Sequence, residues 1–151
     1  MAAENFVSVR ARAVDPLAGL SHEAVDVPEW GGAKVIVRAP TPSDHLWHVN
    51  LIWAAAGVVP GEAQEAIQAK LGAAGVDYTR ASAALLVRTL FEQSPEGVRR
   101  VFQDEDLDEV VPAYGPVHAR LAAKALELGN LLEGAETRAK KPSKSRRASS
   151  S

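Results

Sequence analysis

The segment VDVPEWGGAKVIVRAP, Val25 to Pro40, constrains this chain more than any other. Val25 and Val27, with Trp30 beyond them, alternate on one side, and Val35 and Val37 alternate after a break at Gly31-Gly32. Alternation of period two suits a strand with one buried face, and paired glycines supply the positive φ that a reversal needs. The spacing predicts a β-hairpin, about 24–29 pairing with 33–39. Pro28 has no N–H for a ladder, so its strand is expected at an edge. The glycines do not form a phosphate loop: neither G-x-x-x-x-G-K-[ST] nor G-x-G-x-x-G is present.

The hairpin runs into a helix start. Thr41 is placed to cap, Pro42 fits the first helical position, and Asp44 stands three residues after Thr41. Leu46, Val49, Trp53 and Ala56 share a face at helical spacing, and Gly57 closes the segment. Three further helices follow: about 62–71, with Ala63, Ala66, Ile67 and Leu71 inward; about 80–92, with Leu85, Leu86, Leu90 and Phe91 inward; and one opening at Gly115-Pro116, with Val117, Leu121, Ala125 and Leu128 inward. Between the last two, Glu96-Gly97 reads as a turn, Val98 and Val101-Phe102 as a short extended piece, and QDEDLDEVV as one or two helical turns with acids at the start. Near the N-terminus FVSVRARAV alternates and reads as a strand.

The fold expected is therefore mainly α: a small N-terminal β-hairpin followed by a bundle of four to five helices. Its parts are a partly ordered segment 1–20, one hairpin-plus-helical domain 21–134, and a disordered basic tail 135–151. The tail is set apart by charge. Positions 138–151 hold six basic groups and no acid, while positions 1–137 carry 11 basic against 19 acidic groups, a net of −8. Such a tail has too little apolar surface to fix a structure.

Composition removes several function classes. The absence of cysteine excludes disulfides and thiol catalysis. No run approaches the roughly 20 apolar residues of a membrane span, and MAAENFVSVRARAV lacks the apolar core of a secretory signal, so a soluble intracellular protein is expected. Asp44, His45 and His48 are the best metal candidate, because His45 and His48 share a helix face. A site needs further ligands, and His22 and His118 stand in unrelated contexts, so the reading is no metal and a solvated polar face with Asp44 as a cap. The acidic run 104–109 lacks EF-hand spacing. There is no G-x-S-x-G elbow. We expect no enzyme and no cofactor. Trp53 fits the core stripe, whereas Trp30 beside the turn and Trp47 off the stripe are candidate partner-binding anchors. Lys140, Lys141, Lys144, Arg146 and Arg147 are candidate contacts of the basic tail, which could neutralise phosphates but has no interleaved aromatics.

In order along the chain, these features resemble the tail assembly chaperones of long-tailed bacteriophages. One match is VDVPEWGGAKVIVRAPTPSD, Val25 to Asp44, where the family has a strand, a Pro-Glu-Trp-Gly-like turn, a strand ending in Val-Arg, and a Thr/Ser-capped helix. A second is LLVRTLFEQSPEGVRRVFQDEDLDEVV, Leu85 to Val111, with an apolar helix, an acidic-Gly turn, Val-Phe and an acidic helix start. The third is VHARLAAKALELGNL before a basic end. The resemblance covers most of the span 20–132; GVVPGEAQEAIQAKLGAAGVDY is generic, and the segment 1–20 adds little.

The resemblance implies a non-enzymatic job in the cytoplasm of the infected host, ending before the virion is complete. The expected partners are the tape-measure protein, held in solution, the tail-tube protein, and a frameshifted longer form of this chain; no membrane is implied. The expected binding mode is an amphipathic client in a groove between helices. This chain would be the short product, and a minus-one frameshift could fall at Ala139-Lys140-Lys141 if the codons are GCA-AAA-AAG. The alternative, from another class, is a small nucleic-acid-binding accessory protein acting through its basic tail.

Overall fold

The computed structural model describes Phe6 and residues 8–131. The basic tail 135–151, its candidate contact residues and the Ala139-Lys140-Lys141 position lie outside the described residues.

The hairpin forms as strands β1 (His22–Val27) and β2 (Ala33–Arg38), antiparallel from Val27↔Ala33 to His22↔Arg38. The reversal is wider than a two-residue turn. Pro28–Trp30 makes one 3-10 turn, and Gly31 and Gly32 follow at φ +68° and +77°. A Cβ at either glycine would meet nothing within 4 Å, so only the backbone conformation requires glycine there. Gly31→Ala is accordingly expected to cost about 1 kcal/mol, read as a lower urea midpoint with an unchanged m-value.

Helix α2 (Pro42–Ala56) opens with the expected reciprocal cap. The Asp44 N–H donates to Thr41 Oγ1 at 3.1 Å, and the Thr41 N–H donates to Asp44 Oδ2 at 2.9 Å. Gly57 ends the helix in the left-handed conformation. Helices α3 (Gln64–Leu71) and α4 (Thr79–Thr89) follow.

At Leu90 the chain departs from the sequence expectation. The helix expected to 92 stops at Thr89, and Leu90–Ser94 is strand β3, which pairs with β4 (Gly97–Arg100) across the turn at Glu96-Gly97. β3 also pairs with β2 through Ile36↔Phe91 and Val37↔Leu90, giving one antiparallel sheet in the order β1-β2-β3-β4. The free edge of β2 decides this: Leu90 and Phe91 suit either element by pattern, and pairing with β2 buries both while satisfying backbone groups. The protein is therefore mainly helical, as expected, but its hairpin is half of a four-stranded sheet. β1, which Pro28 follows, lies at an edge.

Beyond β4, one 3-10 turn (Asp104–Asp106) leads into α5 (Leu107–Ala113), and α6 (Pro116–Leu128) closes the described chain. The N-terminal alternation is not a strand: Val9–Ala13 is a single-turn helix, α1, capped by Ser8 and burying nothing. Positions 9–14 are all exposed, so the alternation has no buried face to serve.

The core is layered on α4. Val27, Val35 and Val37 of the sheet meet Leu86, Leu90, Leu121 and Ala125, with Trp30 packed against them. On another side Ala83, Ala84 and Val87 meet Leu107 and Val110, with Trp47 and Leu51 of α2. Each fully buried leucine contributes roughly 1.5–3 kcal/mol, and the alanines of α4 let its neighbours approach closely. The α2 face is rotated from the apolar stripe read in the sequence. Asp44 and His48 are buried, while Leu46 and Trp53 are exposed. Asp44 reaches Arg38 and Arg88 on the same side of α2 that packs Trp47 and Leu51 against the core, so ion pairing and apolar contact together face inward there.

Candidate functional site

An open groove of about 520 Å³ lies against α2, α4 and α6. α6 contributes Ala119, Ala122, Ala123 and Leu126. Three of the four are alanines, from the α6 sequence ARLAAKAL, in which only Leu121, Ala122 and Ala125 turn fully inward. α4 contributes Ser82 and Leu85, and α2 contributes His48 and Ile52. Leu71, Tyr78 and Tyr114 complete the lining.

The polar groups of this groove are few and fixed. The Tyr78 hydroxyl donates to the Leu71 carbonyl at 3.2 Å. His48 Nδ1 lies 2.7 Å from the Ala81 carbonyl, which can only accept, so Nδ1 carries the proton and Nε2 is left as an acceptor. Burial holds the His48 pKa below its ordinary value and raises that of the Tyr114 phenol. The groove is thus neutral and mostly apolar near pH 7, with a handful of oriented polar atoms. Such a lining suits apolar side chains presented by a helix or peptide.

The sequence-derived candidates take up particular places. Trp30 is half-buried on the sheet core, edge-on to His118 with ring centroids 5.2 Å apart. Trp47 is half-buried against the α4–α5 cluster, with the Arg88 guanidinium 4.4 Å from its ring centroid. Each packs under a neighbouring element, and neither lines the groove. Trp53, expected in the core stripe, is 39% exposed. The polar trio reads differently too. Asp44 faces Arg38 and Arg88, His48 faces Ala81, and the expected solvated face is largely buried. Among the described residues no group of three or more His, Asp and Glu side chains is placed to hold a metal ion. In the acidic run, Asp104 pairs with Arg88 and Arg100, Asp106 accepts the Gln103 N–H, and Asp108 pairs with Arg80.

The groove residues of α6 and the Arg38–Asp44–Arg88–Asp104–Arg100 network were not among the sequence candidates. The network left a trace in the sequence: arginine directly after an apolar run in VIVRAP and inside one in LLVRTLF.

Two histidines tie stability to pH. His118 Nδ1 accepts the Gly115 N–H at 3.0 Å at the start of α6, and burial lowers its pKa as it does that of His48. Both are held neutral in the folded state, so the unfolded chain binds protons first. Stability is intact above the unfolded value of about 6.5 and falls as pH drops from there through the lower folded values. Melting temperatures are expected to be level from pH 8 to 7 and to decline between pH 6.5 and 5; His118→Gln is expected to flatten part of that decline.

Taken together, these features define a small non-repetitive scaffold: a mainly helical core with an antiparallel sheet, carrying an open, mostly apolar groove. The comparisons give the class a family. The model of the phage tail assembly chaperone family matches residues 8–141, and the chain belongs to that family. The fold is similar to the solved structure of the bacteriophage HK97 tail assembly chaperone, with 26% identity and a TM-score of 0.55 over 80% of this chain and 95% of that one. No curated protein matches the sequence.

Proposed function

We propose that this tail assembly chaperone holds the tape-measure protein in solution and helps bring tail-tube subunits to it, acting by binding and without catalysis. The observation that carries this reading is the groove on α2, α4 and α6. Its open shape and small-residue wall on α6 fit one apolar face of a client helix. The surplus of acid over base ahead of the basic tail supports the second requirement, because net charge keeps a complex of chaperone and apolar client from self-associating. The chaperone would work in the host cytoplasm and be left out of the mature virion, alongside a frameshifted longer form of itself.

Co-expression tests this directly. With the chain present, the tape-measure protein is expected in the soluble fraction and to co-purify with it. Equal precipitation with and without the chain would end the proposal. Removal of 138–151 is expected to leave client binding intact; DNA or RNA binding that is abolished by the same removal would favour the alternative role of the basic tail.

A further inference from the structure

A second cleft, of about 550 Å³, shares no lining residue with the groove. Arg38, Arg88 and Arg100 line it, facing Asp44 and Asp104. Both carboxylates are fully engaged. Asp44 Oδ2 accepts from Arg38 and from the Thr41 N–H, and its Oδ1 accepts from Arg88 at 3.2 Å. Asp104 Oδ1 accepts from Arg88 and Arg100, each at 2.8 Å, and its Oδ2 accepts from Arg88 at 3.1 Å. Among the described residues three guanidiniums therefore share two carboxylates, one positive charge more than negative.

The deficit centres on Arg100. Among the described residues only its Nη2 finds partners, Asp104 and the Val87 carbonyl, while its Nε is buried with none. The Arg100 side chain is part-buried, 27% exposed, and lines the cleft, so an anion there can meet the guanidinium at its open side while Nε stays buried behind it. Burial lowers the Arg38 pKa, the Asp44 carboxylate opposes that, and the nearby Arg100 charge adds a smaller lowering.

We propose that this cleft binds a carboxylate, a monoanion that balances the third guanidinium. Charge and shape select that class. One carboxylate brings the single negative charge that is missing, in the two-oxygen form that guanidinium already engages here. A phosphate dianion would overshoot and meet Asp44 and Asp104 at close range. Val14, Pro16 and Phe91 supply an apolar wall for the short stem that carries the group. The carboxylate could end a polypeptide or sit on an acidic side chain. The proposal does not depend on the client groove.

The test is a titration of the full chain followed by NMR of the arginine side-chain N–H signals. The probes are N-acetyl-alanine, with a chain-terminal carboxylate, and N-acetyl-glutamate α-methylamide, with a side-chain one; sodium chloride at matched ionic strength is the control. Saturable shifts at Arg88 and Arg100 are expected, with Kd on the order of millimolar, and the tighter probe identifies the source. Arg100→Gln is expected to weaken binding at least about tenfold. Ser43 lines the cleft and is exposed, so Ser43→Glu keeps the fold, supplies its own carboxylate and is expected to abolish probe binding even if Arg100→Gln unfolds. Shifts that follow ionic strength alone, unchanged binding in folded Ser43→Glu, or inorganic phosphate binding about tenfold tighter than either probe would each overturn the proposal.

Discussion

Asp44→Ala is expected to be the most damaging single substitution in this protein. The carboxylate is buried, accepts from two arginines, and closes the N-terminal cap of α2. Its removal leaves the buried Arg38 guanidinium without a counter-charge, which costs about 3–5 kcal/mol. Loss of the reciprocal cap adds about 1 kcal/mol. Against a total stability of about 5–15 kcal/mol for a domain of ordinary stability, such a loss leaves the chain marginal or unfolded. Urea denaturation followed by circular dichroism measures it. The double variant Asp44→Leu with Arg38→Met is expected to recover a large part of the loss, because the orphaned charge leaves with the carboxylate. A change below about 1 kcal/mol for Asp44→Ala would show that Arg38 and Asp44 interact as an exposed pair does.

The second large effect is on binding. Ala119 and Ala123 line the groove yet are exposed, so their side chains support little of the core. Ala119→Asp with Ala123→Asp is expected to keep the fold, with a melting temperature within a few degrees of wild type. A client that covers the groove would have to desolvate two carboxylates against Ile52 and Leu85 without counter-charges. Affinity for the tape-measure protein is expected to fall at least about a hundredfold, at about 1.4 kcal/mol per factor of ten, as read by co-purification yield and by titration. Trp30 and Trp47 provide the contrast. Each packs against a core cluster, so Trp30→Ala and Trp47→Ala are expected to act first on stability.

How legible the protein was in its sequence depended on the range of the interaction. Local chemistry read correctly: the Thr41–Pro42–Asp44 cap, the Gly57 stop, the Pro28 edge and the inward residues of α6 all follow from neighbours a few positions apart. Long-range demands did not. Leu90 and Phe91 continue an apolar helical pattern, and only the free edge of β2, far upstream in the chain, turns them into a strand. The rotation of α2 has the same origin: Asp44 pairs with the distant Arg88, and Trp47 and Leu51 pack on the α4–α5 cluster, which leaves His48 inward and Trp53 outward. The groove was expected only as a generic space between helices, since its walls come from several segments that no local spacing relates.

Hydrogen–deuterium exchange on the purified complex of this chain with the tape-measure protein tests the central claim most directly. Exchange is compared, peptide by peptide, with that of the free chain. The account predicts slowed exchange concentrated in α6 and in the groove-facing parts of α2 and α4, and no comparable protection in the Ala119→Asp/Ala123→Asp variant. Protection confined to β1 or β4, with α6 exchanging as it does in the free chain, would contradict it.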